Sequence, residues 1–352
     1  MNKFIRRLLG KPLFSTLSAS LSASLSSSLS APLFASIALL AALPGSASAE
    51  SAWPAAKPIT LIVPFSAGGS VDFNARLIAT RLGERLHQSI VIENVAGAGG
   101  AIGVGKAVTA APDGYTLVAG PDSAIAIGRL INPGAFRFDP LKDLAPVGML
   151  NTAPMVLVAR PGLPAKTFAD FVKLAKASPG KYTYATSGIG TVLQLAMELL
   201  KERSGIYVTH VPYRGGAQIT TDLIGEQVDL AMLISISAIP QVNAGRMTAL
   251  GVTSAKRLEA LPNVPAFAEM PGLKDYAMVS WTGLFAPAAT PPAIVERLNR
   301  ELNAVLQEPD LRAKLQEQGA VPGSGSAEDL GRFVRAEYAR NQKIVQTANI
   351  KE

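Results

Sequence analysis

Short apolar runs rich in β-branched residues alternate along this chain with segments whose apolar side chains recur at three-and-four spacing, which predicts strands and helices in turn. The first pair sets the pattern. Residues 59–63 read as a buried strand ended by Pro64, and Phe73, Leu77, Ile78 and Leu82 mark one face of a helix starting near Val71. Further strands are predicted over 89–93, 115–119, 155–159, 182–185, 208–211, 228–234, 248–252 and 279–285. Helices are predicted over 104–110, 168–176, 192–203, 216–223, 240–244, 293–307, 309–318 and 327–347. Such alternation argues for an α/β fold with parallel sheets covered on both faces. Apolar stretches on either side of Asn151-Thr-Ala-Pro154, and the strand carrying Trp281, are where the chain is expected to cross between two lobes. That gives 50–154 plus 279–352 as one lobe and 155–278 as the other.

The linkers carry the chemistry. Between the first strand and its helix stand Phe65, Ser66, Ala67, Gly68, Gly69 and Ser70. Small residues let backbone N–H groups turn toward one point, and a helix start adds free donors and partial positive charge, so an anionic oxygen is favoured there. A Gly-Gly before a helix is also ordinary turn chemistry. The same order returns at 182–203: a strand, the loop Thr186-Ser-Gly-Ile-Gly-Thr191, then a helix. Ligands of open α/β sheets sit outside the carboxyl ends of strands, so facing loops from two lobes would form one cleft. Bulk at Gly69 or Gly188 is therefore expected to abolish capture. Gly120-Pro-Asp-Ser123 is another place where polar groups gather at a strand end. A third glycine-rich loop, 94–103, contains Gly97-x-Gly99 and Gly100-x-x-Gly103 but lacks a well-placed acidic residue about twenty positions on, so a dinucleotide site is discounted.

Composition adds the compartment. Lys3, Arg6, Arg7 and Lys11 precede a Ser/Leu/Ala tract, an apolar stretch over 31–43 and Ala47-Ser-Ala49, the pattern of a signal peptide cleaved before Glu50. A periplasmic protein without a membrane span is expected. The formal charge of +7 owes four basic residues to that leader, and no Lys/Arg block stands beside aromatics, so nucleic acid binding is not expected. There is no cysteine, hence no disulfide or thiol chemistry. His87 and His210, the two histidines, stand far apart without a ligand set, so no metal and no cofactor are expected.

Several motifs together resemble one family. Pro58-Ile-x-Leu-Ile-Val-Pro-Phe-x-x-Gly-Gly-Ser-x-Asp72, Glu93-Asn with Gly97-Ala-Gly-Gly-x-Ile-Gly103, Ala111-Pro-Asp-Gly-Tyr-Thr-Leu117, Val211-Pro-Tyr-x-Gly-Gly216, Val252-Thr-Ser-Ala-Lys-Arg257 with Leu261-Pro-x-Val-Pro265, and Trp281-x-Gly-Leu-Phe-Ala-Pro287 are similar to those of the Bug proteins. These are extracytoplasmic solute receptors of tripartite tricarboxylate transport systems. The resemblance implies a bilobed periplasmic binding protein of the type II, Venus-flytrap kind, two doubly wound lobes joined by a two-strand hinge. It implies a small carboxylate ligand held by main-chain N–H groups and waters from the loops matching Phe65 to Asp72 and Thr186 to Thr191, rather than by an arginine. The partners implied are that ligand and the membrane subunits of the transporter, with the receptor a monomer. Oriented amides can hold a carboxylate without the desolvation cost of a buried cation.

The candidate binding residues are thus Phe65, Ser66, Ala67, Gly68, Gly69, Ser70, Asp72, Asp122, Ser123, Thr186, Ser187, Gly188, Gly190, Thr191, Tyr213 and Ser235. Two stretches depart from the family's pattern, Pro121-Asp-Ser-Ala124 and Ile234-Ser-Ile-Ser237, and both match the far end of the cleft. Asp122 either points inward, where it would repel a second carboxylate, or is an exposed turn residue. Asp72 is expected to shape its loop. Tyr213 is read as able to close on ligand, Arg214 as a solvated charge and Trp281 as hinge packing. No catalytic residue is expected: Ser70 and Ser187 lie in no Gly-x-Ser-x-Gly elbow and lack an evident base. A sensor feeding a signalling partner would share the same cleft. The ligand class stays open among dicarboxylates, tricarboxylates, amino acids and aromatic acids.

Overall fold

In the computed structural model, which describes residues 53–347, ten strands build one curled sheet. The leader read over residues 1–49 lies outside the described residues. The chain opens as its pattern predicts, with β1 (Ile59–Val63), α1 (Ser70–Leu86), β2 (Ile90–Asn94), α2 (Ala101–Val108) and β3 (Thr116–Pro121). Two short helices, α3 (Gly128–Ile131) and α4 (Pro140–Asp143), lead into the long strand β4 (Leu144–Ala159). Next come α5 (Phe168–Ala177), β5 (Thr183–Thr186), α6 (Val192–Ser204), β6 (Thr209–Pro212), α7 (Gly216–Ile224), β7 (Leu230–Ile234), α8 (Ser235–Asn243) and β8 (Thr248–Val252). The chain returns through β9 (Val279–Pro287), followed by α9 (Pro292–Leu306), α10 (Pro309–Glu317), β10 (Val321–Pro322) and α11 (Ala327–Thr347).

β4 belongs to both halves of the sheet. Up to Pro154 it pairs with β9, and from Met155 onward it pairs with β7 on one side and β8 on the other. The first half runs β2-β1-β3-β9-β4 and the second continues β4-β7-β5-β6. β1, β2 and β3 are parallel, as are β5, β6 and β7. The expectation of wholly parallel sheets is corrected at the crossings: β9 is antiparallel to β3 and β4, and β4 is antiparallel to β7 and β8. A strand that passes directly between halves, without a crossover helix, returns in the opposite direction.

Both faces of each half are covered. Along β1, Leu61 faces a cluster with Leu82 and Leu302, while its neighbour Ile62 faces one with Val104 and Phe285. In the second half, Leu157 packs with Phe171 and Leu195, and Val158 with Ile219 and Leu233. Each such side chain is essentially fully buried and contributes about 1.5–3 kcal/mol. This is the bilobed, doubly wound α/β class. Two elements reach across: α11 packs Leu330 and Val334 in the first half and Val345 in the second, and Ile127 and Ile131 join the core that holds Val192 and Leu193.

One local correction bears on the site. The sequence placed a short helix at 240–244 and treated Ser235-Ile-Ser237 as the end of a strand, whereas α8 begins at Ser235 and carries Pro240 inside it. Proline there removes one intrahelical bond without preventing the helix, because tertiary packing of Ile236, Ala238 and Ile239 holds the turn. Among the described residues, no helix is long and apolar enough to cross a membrane.

Candidate ligand-binding site

Where the two halves meet, the starts of four helices surround one cavity of about 50 Å³. Ser70 and Val71 of α1, Val192 and Leu193 of α6, Gly216 of α7, and Ile234 and Ser237 at the start of α8 all line it. The helices α1, α7 and α8 have no side-chain cap, so their first N–H groups carry no internal partner. Their sum is a ring of oriented donors with partial positive charge. Among the described residues, no Lys, Arg or His lines the cavity, and Asp122 is the one charged lining residue. The paired loops of the sequence reading therefore face one another: Phe65, Gly69 and Ser70 come from one half and Ser187 from the other. Two larger pockets adjoin, one sharing Gly69 and Ser237 with the cavity, the other sharing Phe65 and Ser187.

The residues behind the loops fix their shape. Asp72 accepts from the Gly68 N–H at 2.9 Å, Arg76 Nε at 3.0 Å and Asn94 Nδ2 at 2.9 Å. Burial works against its charge, but these donors outweigh it and hold the carboxyl below its usual range. Asp72 is thus tied into the loop rather than into the cavity, as its position in the first turn suggested. In the second loop, Thr186 Oγ1 lies 2.6 Å from His210 Nε2 and accepts from the Gly188 N–H. Thr191 donates to the Gly188 carbonyl and caps α6, and Gln194 Oε1 accepts from the Gly190 N–H. His210 stacks on Tyr184 at 4.8 Å, and burial, with Lys201 adding to it and Glu198 opposing, depresses its pKa to about 4. It is a neutral support for the loop.

Asp122 overturns the exposed-turn reading. It is buried, with Oδ1 accepting from the Ser123 N–H at 2.6 Å and its hydroxyl at 3.1 Å, and Oδ2 accepting from the Trp281 N–H at 3.0 Å. Burial pushes its pKa up to about 6, and the bonds from Ser280, Trp281 and Ser123 limit the rise. The Ser123 hydroxyl in turn accepts the Val192 N–H at 3.0 Å, so the end of β3 is bonded to the start of α6 across the cleft. The Trp281 ring is buried edge-on against Phe333, in keeping with a packing role.

Of the sequence candidates, Phe65, Gly69, Ser70, Asp122, Ser123 and Ser187 line the cavity. Gly68 lines one adjoining pocket, and Gly188 and Tyr213 line the other beside Arg214. The Tyr213 hydroxyl is committed to Asp222 at 2.8 Å. Ser66 and Ala67 lie outside the cavity, and Thr186, Gly190 and Thr191 act on the loop from behind. Ser235 is displaced from it as well: it packs against Gly319, and Ser237, two positions on, takes the cavity face. Sequence reasoning missed Asn74, Asn151, Ser280 and Thr282, which form a polar floor. Thr282 pairs with Pro121 on one side and Asn151 on the other, and Asn74 Nδ2 donates to Asn151 Oδ1 at 2.9 Å. The available signal was partial: Ser280 and Thr282 alternate with apolar residues along β9, but Asn74 lies among the charged residues of α1 and Asn151 beside Thr152 in β4.

The model of the tripartite tricarboxylate transporter family receptor matches residues 74–350. Protein BugT of Bordetella pertussis is 34% identical over 297 residues, covering 84% of this chain and 90% of that protein. The solved structure of R. palustris Rpa4515 with adipate superposes with a TM-score of 0.80 at 37% identity, covering 84% of this chain and 98% of the other. MatC (Rpa3494) from Rhodopseudomonas palustris with bound malate gives a TM-score of 0.79 at 31% identity, covering 83% and 99%. With this fold, these loops and these relatives, the chain belongs to the tripartite tricarboxylate transporter receptor family, the Bug family of periplasmic solute receptors whose motifs it carries.

Proposed function

We propose that this receptor captures a small organic carboxylate in the cavity between its halves, through backbone N–H groups at helix starts, and delivers it to the membrane subunits of a tripartite tricarboxylate-type transporter. The observation that carries the reading is the cavity itself: three uncapped helix starts converge on a space that, among the described residues, no basic side chain lines. Each amide bond to an ionised carboxylate contributes about 1.5–3 kcal/mol, and a few suffice for micromolar binding. Rpa4515 with adipate and MatC with malate support an organic acid as the cargo. The lobe division at 154/155 and 278/279 follows the two crossings and would let the cleft open by hinge motion. The reading takes the chain as a receptor and not an enzyme. Ser70 and Ser187 do line the cavity, but no histidine stands there to serve as base.

Titration of the purified protein with a panel of organic acids tests this. A ligand at 100 times its Kd stabilises by about 2.7 kcal/mol and raises the melting temperature by several degrees. A panel in which no acid moves the melt overturns the reading. Solute uptake lost on deleting the receptor, and restored by it, separates a transport role from a sensing one. Ser123 links the halves by accepting the Val192 N–H. Ser123→Ala is expected to weaken binding by roughly 5- to 30-fold, about 1–2 kcal/mol, as calorimetry would read.

A further inference from the structure

The cavity is polarised, and its polarity selects among organic acids. Helix starts supply donors, but the floor supplies acceptors: the Asp122 carboxylate, without a basic residue among the lining groups, and Asn74 Oδ1. Asn74 is buried, its amide nitrogen is spent on Asn151, and its Oδ1 has no partner. A buried polar atom without a partner is costly unless a bound molecule satisfies it. Asp122 takes hydrogen bonds from Ser123 and Trp281, which soften its charge without neutralising it.

We infer that the ligand is a monocarboxylate whose other end donates hydrogen bonds, an ammonium or hydroxyl group, and that Asp122 and Asn74 reject dicarboxylates of the same length. The inference rests on the proposed carboxylate site and deepens it. A second carboxylate beside Asp122 either meets its charge or forces it to take up a proton, and at pH 7 the cheaper route, protonation, still disfavours binding by about tenfold. A donor at that end instead meets Asp122 and completes Asn74. Discrimination of this kind is strong because the wrong ligand leaves buried acceptors unpaired and charge unmatched. Adipate and malate, the ligands of Rpa4515 and MatC, are dicarboxylates, so this chain is expected to differ from those relatives at this end of its site.

Calorimetry on the purified protein with three series of three to six carbons, the α,ω-dicarboxylates, the ω-amino acids and the ω-hydroxy acids, tests it. At the length that binds best, an amino or hydroxy acid should bind at least about tenfold tighter than the matching dicarboxylate. In Asp122→Asn that ratio should fall at least about tenfold, with the dicarboxylate gaining. Asn74→Ala, which leaves the charge in place, should weaken the donor-terminated ligand alone. A native ratio below tenfold overturns the inference, even if Asp122→Asn fails to fold, while leaving carboxylate capture intact. No binding in any series overturns both.

Discussion

Gly99→Ala is expected to weaken ligand binding by roughly 30- to 150-fold while lowering the melting temperature by only a few degrees. Gly99 sits in a left-handed conformation, φ +62°, in the turn after β2, and a Cβ built there would lie 2.7 Å from the Ile189 carbonyl in the other half's loop. The left-handed conformation costs about 1–2 kcal/mol for alanine whether the halves are together or apart. The clash arises only when the two turns meet, so the protein escapes it by standing open. Closure must then absorb the overpacking, about 2–3 kcal/mol, and that falls on affinity. Gly69→Ala is the control. Gly69 has φ −84°, and its Cβ would lie 3.6 Å from the Gly216 nitrogen and 3.7 Å from the Ser66 carbonyl, ordinary contacts. A methyl group fits there, so the expectation that a bulky residue at Gly69 abolishes binding concerns larger side chains. Calorimetry and thermal melts on both variants decide it, and Gly99→Ala binding like the native protein would show that the turns do not meet in the bound form.

The parts of the site that were legible in the sequence are those made by local chemistry. The run 59–63, Pro64 and the small residues after it specify a strand, a loop and a helix start without help from the rest of the chain, and α1 begins one residue before the predicted Val71. Asp72 in the first turn holds its own loop for the same local reason. The floor was not legible, because its members come together through strand register. Thr282 meets Pro121 and Asn151 across gaps of more than a hundred residues, and the donor to Asp122 Oδ2 is the Trp281 N–H, 159 positions away. Pro-Asp-Ser reads as a surface turn until that partner is in place. At α8 the error was one of local weighting: Pro240 looks like a helix start, but the packed apolar face runs the helix back to Ser235. Side chains on a helix turn by about 100° per residue, so Ser237 takes the cavity face and Ser235 does not.

Between pH 4 and pH 7, the stability change of the native protein is expected to lie between those of two single variants, because Asp122 and His210 act in opposite directions. The pKa of Asp122 is raised from 3.8 to about 6, so the folded state holds its proton more tightly than the unfolded one. Its stabilising effect is complete below pH 3.8 and lost as pH rises through 6, about 3 kcal/mol for two pH units. The pKa of His210 is depressed from 6.5 to about 4, so its effect is complete above 6.5 and lost as pH falls through 4, by a similar amount. Asp122→Asn removes the first slope, and from pH 4 to 7 its stability should rise relative to the native protein by about 3 kcal/mol. His210→Gln removes the second and should move the other way. Carboxylates with lowered pKa, Asp72 among them, are common to all three proteins and cancel in the differences. Urea melts at unit pH steps measure both, and three parallel curves would mean that neither group is held in the folded state as described. The opposition has a single origin. Each group supports a binding loop from a site sheltered from water, where the neutral form is favoured, and for an acid and a base that preference has opposite consequences for pH.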